Sequence, residues 1–393
     1  MNTITELYDS LRGDKVIWLI VGLLGLFSIL AVYSATGSMA FKERDGNTEY
    51  FLIQQIVFII LGGGVMYLCY NLHYMQYSKW APYLLLPTLI LLVWTIFFGT
   101  EINEARRWIT IPWIDRTIQT SDLAKLTLII FIARSLSIRQ DVIKDFKTGF
   151  LPVLLAVSLT CLLIVPADLS TAALLFLTCM LMMFIGRVKM KYIFILFLFG
   201  VLGMMLIFGL SSIVPEMIRS ETWISRITEY LYTDGGYQIE QSKIAIANGG
   251  WFGVGPGESF QKNYLPYAYA DFIYSVICEE YGIMGALFVL GLYLWLLVRC
   301  IGIVTRCPKA FGAILAMGLC LNLVIQAFAN IAVSVHLLPV TGLTLPLVSM
   351  GGTSMIFTCM SLGIILSVSR YVEEAEEKRM ELLELEVRDA HSF

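Results

Sequence analysis

Charge is scarce in this chain. Only 15% of its 393 residues are Asp, Glu, Lys or Arg, and 27 basic residues face 30 acidic ones. A net charge of −3 provides no basic surface for a nucleic acid, so that partner class is excluded. Histidine is rarer still, at three residues, which leaves no framework for a zinc site. The eight cysteines form no Cys-x-x-Cys pair and mostly stand inside apolar runs, where a thiol behaves as a small hydrophobe. Neither the phosphate-loop nor the dinucleotide glycine pattern occurs. What the chain has is apolar sequence, 58% of it, and that excludes a soluble globular fold.

A spanning helix needs about 20 mostly apolar residues. Ten segments qualify, at 15–36, 50–72, 79–98, 122–138, 149–165, 170–187, 190–211, 271–299, 309–333 and 344–370. The first is longer than the apolar core of a secretion signal, and Asp9 and Asp14 spoil a basic leader, so it reads as a retained span. Orientation follows from the cations: Arg134, Arg139, Lys144, Lys147, Arg187, Lys189, Lys191, Arg299 and Arg306 gather on one side, which is then cytoplasmic. Both termini fall on that side. The expected fold is an all-α polytopic membrane protein with residues 1–370 as a single ten-helix domain. A large extracytoplasmic loop, 212–270, lies between helices 7 and 8, and a cytoplasmic tail covers 371–393.

The loop is far longer than a helix connection requires, which usually marks function. It runs from Pro215 through Trp223, Tyr230 and Tyr232 to Asp234-Gly235-Gly236, then to an amphipathic helix from Tyr237 to Asn248 that Gly249-Gly250 would cap. Residues 249–259 carry five glycines, which fit either a backbone cradle for phosphate or a structural turn. Lys262, Leu265-Pro266 and Asp271 follow, the last where the chain re-enters the membrane. A carboxylate at that boundary suits a general base, because partial desolvation raises its pKa; it equally suits an N-cap.

Polar residues inside spans are costly, so each needs a reason. Apart from cations at the cytoplasmic ends of the spans, Lys125 is the only Lys or Arg within one, and Asp122 lies one turn before it. A local ion pair and a cation awaiting an anionic headgroup both fit. Arg106, Arg107 and Trp108 stand together just upstream, where guanidinium and indole suit a phosphate or a sugar face, or simple anchoring at the interface. Glu279 and Glu280 are adjacent within the eighth span, so at least one faces protein, with a structural or coupling role.

Taken in order, these segments resemble the SEDS family, the polytopic proteins of bacterial shape, elongation, division and sporulation, over residues 15–370. The carriers are Ala105-Arg106-Arg107-Trp108-Ile109, Gln119-Thr120-Ser121-Asp122 with Ala124-Lys125, and Asp168-Leu169-Ser170-Thr171-Ala172. The long-loop block adds Tyr237-Gln238, Gln241-Ser242, the glycines, Lys262, Asp271-Phe272-Ile273 and Glu279-Glu280-x-Gly282. Leu338-Pro339-Val340-Thr341-Gly342 and Leu345-Pro346-Leu347-Val348-Ser349 with Gly351-Gly352-Thr353-Ser354 complete it.

The resemblance implies a glycosyltransferase that polymerises lipid II, the undecaprenyl-pyrophosphate-linked disaccharide peptide, into peptidoglycan. It implies Asp271 as catalytic base and Arg107, Trp108, Lys125, Gln238, Ser242 and Lys262 as substrate-binding residues. A divalent cation, Mg or Mn, is an optional cofactor. The partners implied are a class B penicillin-binding transpeptidase and other division-complex membrane proteins. Family members often carry Pro-Glu-x-His-x-Asp before the carboxylate, whereas Pro266-Tyr267-Ala268-Tyr269-Ala270-Asp271 lacks the Glu and the His, leaving their role to Tyr267 or Tyr269. Residues 13–18 and 31–37 look more like the division members than the elongation members, so a septal role is expected, with elongation as the alternative. The rival from another class is a lipid II flippase, which would keep its polar groups near the bilayer midplane.

Overall fold

The computed structural model describes residues 12–43, 47–102, 105–111, 116–211, 220–232 and 235–390. Asp9, Pro215 and Asp234, named above, lie outside them. Most of the described chain is helical. In order come α1 (Lys15–Ala35), α2 (Gly37–Glu43), α3 (Thr48–Asn71), α4 (Met75–Phe98), α5 (Thr120–Ile138), α6 (Leu151–Ile164) and α7 (Leu169–Ile185). There follow α8 (Met190–Ser211), α9 (Ser220–Tyr232), α10 (Gly236–Gly249), α11 (Ile273–Arg306), α12 (Ala310–Ser334) and α13 (Thr353–Ala390). Among the described residues seven helical segments are long and apolar enough to cross a membrane, and α7 and α8 are shorter apolar helices. The protein is therefore a multi-pass membrane protein.

Local chemistry sets the helix starts. Asp14 accepts from the Val16 N–H, Asn47 from Tyr50 and Asp168 from Thr171, each satisfying a donor that the first helical turn leaves over. Helices α12 and α13 are the most buried of the spans and form the centre of the bundle. Helices α3 and α4 expose Ile53, Ile60, Leu68, Tyr83, Leu86 and Phe98, as lipid-facing surfaces should.

Three departures from the sequence reading matter for the site. First, residues expected to form a plain loop make a three-stranded antiparallel sheet, β1 (Thr100–Ile102), β2 (Ala105–Ile111) and β3 (Arg116–Gln119). The register sets Trp108 opposite Gln119 and Ile109 opposite Ile118, and β3 runs straight into α5. Second, the eighth span does not start at residue 271. Helix α11 is broken at Gly282 (φ 66°), so Glu279 and Glu280 belong to a short segment ahead of the continuous helix. Third, the last helix begins at Thr353 and not at 344, leaving residues 335–352 as irregular chain packed on the same end of the bundle. The tail continues α13 without interruption to Ala390.

The break at Gly282 explains the glycine-rich segment. Val254 and Gly255 donate to the Glu279 and Glu280 carbonyls at 2.9 and 3.1 Å, and Ile283 donates to Gly250 at 2.9 Å. The loop thus pairs the backbone groups that the break releases. A β-carbon on Gly249 would lie 1.9 Å from the Cys278 carbonyl oxygen, and one on Gly253 would lie 2.1 Å from that of Glu280. These glycines serve close packing between backbones. The N–H groups of Gly253 and Gly255 are taken by the Gly249 and Glu280 carbonyls, which favours the structural turn over a phosphate cradle.

Candidate active site

The sheet, the start of α5, the α6–α7 turn, α9, α10, the turn before α11 and residues 340–354 enclose a polar cavity of about 330 Å³. Five of the seven residues singled out from sequence line it: Arg107, Trp108, Lys125, Gln238 and Asp271. Tyr267 and Tyr269, offered as stand-ins for the absent Glu and His, line it too.

Asp271 is placed by an unusual turn. Tyr267 has φ 56°, a left-handed conformation that costs a non-glycine residue about 1–3 kcal/mol. Its carbonyl accepts from Ala270 at 2.9 Å and from Asp271 at 3.1 Å. Asn330 of α12 donates to the Asp271 carbonyl at 2.7 Å and to that of Leu343 at 2.6 Å, pinning the turn to residues 335–352. The N-cap reading of Asp271 does not hold, because Phe272 occupies that position and no side chain caps the helix. The carboxylate side chain keeps a face on the cavity, while protein surrounds it on most other sides. Burial pushes its pKa up to about 6, against the pull of Arg107 and Arg226 and with a further push from Asp168. A carboxyl tuned to that range can take a proton at neutral pH.

Cations surround it. Arg107 Nη1 bonds Asp168 Oδ2 at 2.7 Å, and its guanidinium lies 4.4 Å from the Trp108 ring centroid. Lys125 Nζ lies 2.7 Å from Asp122 Oδ1 and donates to Gln326 Oε1 at 3.1 Å. Both sequence readings of Lys125 therefore remain open, since it pairs with Asp122 and also lines the cavity. Arg226 lines the cavity from α9 and donates to the Val340 carbonyl at 3.2 Å.

Two expected site residues do not line the cavity. Ser242 is buried where α10 meets α11 and α12, 2.6 Å from Ser275 Oγ and 2.6 Å from the Ser334 carbonyl. Lys262 bonds the Gly257 carbonyl at 2.6 Å and Ser34 Oγ at 3.1 Å, and Ser34 in turn bonds Glu280. With Ser259 and the Phe260 and Gln261 N–H groups on Glu279, this is a clasp between α1, the glycine loop and α11. Sequence reading missed Asp168, Arg226 and Gln326 as cavity residues. Among the described residues no three Asp, Glu, His or Cys side chains converge into an all-protein metal site, and both Asp168 oxygens are engaged by Arg107 and Thr171.

Fold and site together define a polytopic helical membrane protein with a half-buried carboxylate among cations at one end of its bundle. The chain belongs to the FtsW/RodA/SpoVE family: the family model described as "Cell cycle protein" matches residues 14–374. It is 37% identical to the probable peptidoglycan glycosyltransferase FtsW of Geobacter sulfurreducens, over 95% of this chain and 100% of that protein. It is 34% identical to the stage V sporulation protein E of Bacillus subtilis, over 91% and 97%. Among solved structures it is similar to one described as the structural coordination of polymerization and crosslinking by a peptidoglycan synthase complex (TM-score 0.70, 25% identity, 92% and 98% covered). The crystal structure of the rod shape determining protein RodA of Thermus thermophilus shares the fold (TM-score 0.67, 24% identity, 92% and 98% covered).

Proposed function

We propose that this protein is a peptidoglycan glycosyltransferase that polymerises lipid II at the outer face of the cytoplasmic membrane during septal wall synthesis. The observation that carries the proposal is the placement of Asp271, raised toward neutrality, in one polar cavity with Arg107, Trp108 and Lys125. The fine topology belongs to the same reading. Counting α5, α7 and α8 with the seven long apolar segments makes ten spans, with both termini cytoplasmic and the loop that carries α9 and α10 outside.

The reaction is an inverting displacement. Asp271 removes the proton from the 4-hydroxyl of the acceptor N-acetylglucosamine as that oxygen bonds the anomeric carbon of the donor N-acetylmuramic acid. The bond from that carbon to the diphosphate breaks, and undecaprenyl diphosphate leaves with the electron pair. Negative charge grows on the leaving group, and a cation already in place, Arg107, offsets it without reorganisation. Lys125 supplies positive charge to a substrate headgroup, and Trp108 offers a face to a sugar ring. Ser242 and Lys262 act on the scaffold around the site. A class B penicillin-binding transpeptidase is the partner this reading calls for, with other division-complex membrane proteins, and the likeness to a peptidoglycan synthase complex supports it.

A flippase would need the cavity to continue through the bundle. Below Lys125 the polar strip of Asn322, Thr358 and Ser361 leaves about 20 Å³, room for about one water and far too little for a sugar headgroup. Purified protein given labelled lipid II settles the class of activity, with strand length read on a gel. Glycan strands are the expected product. Translocation of lipid II across vesicles without any new glycosidic bond would overturn the proposal.

A further inference from the structure

A second, smaller chamber adjoins the cavity of Asp271. Its volume is about 160 Å³, and its lining includes Trp223 and Arg226 of α9, Arg107 of β2 and the chain from Ala167 to Ser170. Arg107, Asp168 and Arg226 line both spaces, whereas Asp271 lines only the larger one. The Arg107–Asp168 ion pair is thus part of the wall between them.

Three features of this chamber favour an anion. Arg226 presents a half-buried guanidinium whose Nη1 is oriented by the Val340 carbonyl. Arg107 gives one end of its fork to Asp168, while its Nε is buried with no partner. Leu169 and Ser170 open the 17-residue helix α7, and the first N–H groups of such a helix have no partner within it. Asp168 Oδ1 takes the N–H of Thr171, one turn further in. Two planar forks and a helix N-terminus match a diphosphate, whose oxygens accept on several sides at once. Leu169 also borders an apolar groove of about 450 Å³ among α6, α7 and α8, so a diphosphate in the chamber can carry a hydrocarbon chain.

Building on the glycosyl-transfer reading, we propose that this side chamber binds the diphosphate of the lipid-linked donor, with Arg226 and Arg107 as its two cationic contacts. Donor diphosphate and acceptor hydroxyl then occupy separate chambers that meet at Arg107. Arg226 is a binding residue for the leaving group, a role no feature of its local sequence announces.

Binding to the full chain in nanodiscs tests this without turnover, using undecaprenyl diphosphate and inorganic pyrophosphate as probes. Arg226→Gln keeps a donor for Val340 and removes the charge. It should weaken both probes about tenfold or more, and Arg226→Lys should recover part of the loss. Arg106→Gln makes the same charge change one residue from Arg107, at a side chain that bonds Glu101 and lines neither chamber, and should bind both probes as wild type does. The lipid should bind more tightly than the free anion; equal affinity would remove the lipid as the ligand. Unchanged binding of both probes by Arg226→Gln overturns the proposal, as does a loss confined to the lipid, which would place Arg226 on the chain and not on the diphosphate. Asp271→Asn should bind both probes at least as tightly as wild type. Full polymerisation by Asp271→Asn would sink the catalytic reading, whereas indifference of Arg226→Gln sinks only the chamber.

Discussion

At the scale of residues, the chemistry depends on Asp271 being ionised. Its pKa, raised by burial to about 6, sets the acid limb: below it the carboxyl is protonated and cannot accept the acceptor's proton. We expect kcat/KM for lipid II to rise as pH increases through about 6 and then level off. Asp168 pushes that pKa up and also holds Arg107, which pulls it down. Asp168→Asn removes the push and frees the guanidinium, so both effects move the acid limb to lower pH, while Asn still caps α7. A pH–rate profile of the variant checks the direction. For Lys125, removing the cation together with its partner separates the two readings. Lys125→Met with Asp122→Leu should insert and fold, because no buried charge is left alone, yet polymerise about 10²-fold more slowly. A folded double variant with full activity would make Lys125 structural.

Much of the cavity was legible residue by residue. Arg107, Trp108, Lys125, Gln238 and Asp271 carry charge or aromatic surface where the bilayer penalises it or where a family motif marks it. Asp168 stood in a motif without a cavity role of its own, and capping α7, which it does, would explain an aspartate there without one. Arg226 was one charge among several in an amphipathic stretch. Gln326 had a readable signal: Asn322, Gln326 and Asn330 stand four residues apart, a polar stripe on one face of the otherwise apolar α12.

At the scale of elements, hydropathy located the helices but not their breaks or the sheet. A window average cannot register Gly282, since one glycine barely changes the mean over a whole span, and a short edge-rich sheet has no periodicity long enough to stand out. Yet the sheet carries Arg107 and Trp108 into the cavity, and the Gly282 break sets the short helix that follows Asp271. The packing of the glycine loop against that break predicts a sharp contrast. Gly253→Ala combines φ +81° with a contact to the Glu280 carbonyl, and should destabilise the fold by about 1–3 kcal/mol. Gly63→Ala, in the middle of α3 with nothing within 4 Å of the added carbon, should be neutral or stabilising by up to about 1 kcal/mol. Thermal unfolding in one detergent compares the two.

At the scale of the whole molecule, one continuous core runs from Ile17 to Val372, so the site is assembled from segments far apart in sequence on a single packed bundle. That arrangement suits a polymerase whose reacting groups must hold two large substrates in fixed relation. A septal role predicts that a fluorescent fusion concentrates at midcell in dividing cells; a signal spread along the side wall and absent from midcell would instead favour elongation. The most direct test of the central claim is lipid II polymerisation by Asp271→Asn beside wild type, across pH 5 to 8. The account predicts rates about 10²–10⁴-fold lower for the variant, with the acid limb near 6 abolished. Undiminished polymerisation by Asp271→Asn, with the wild-type pH profile intact, would contradict it.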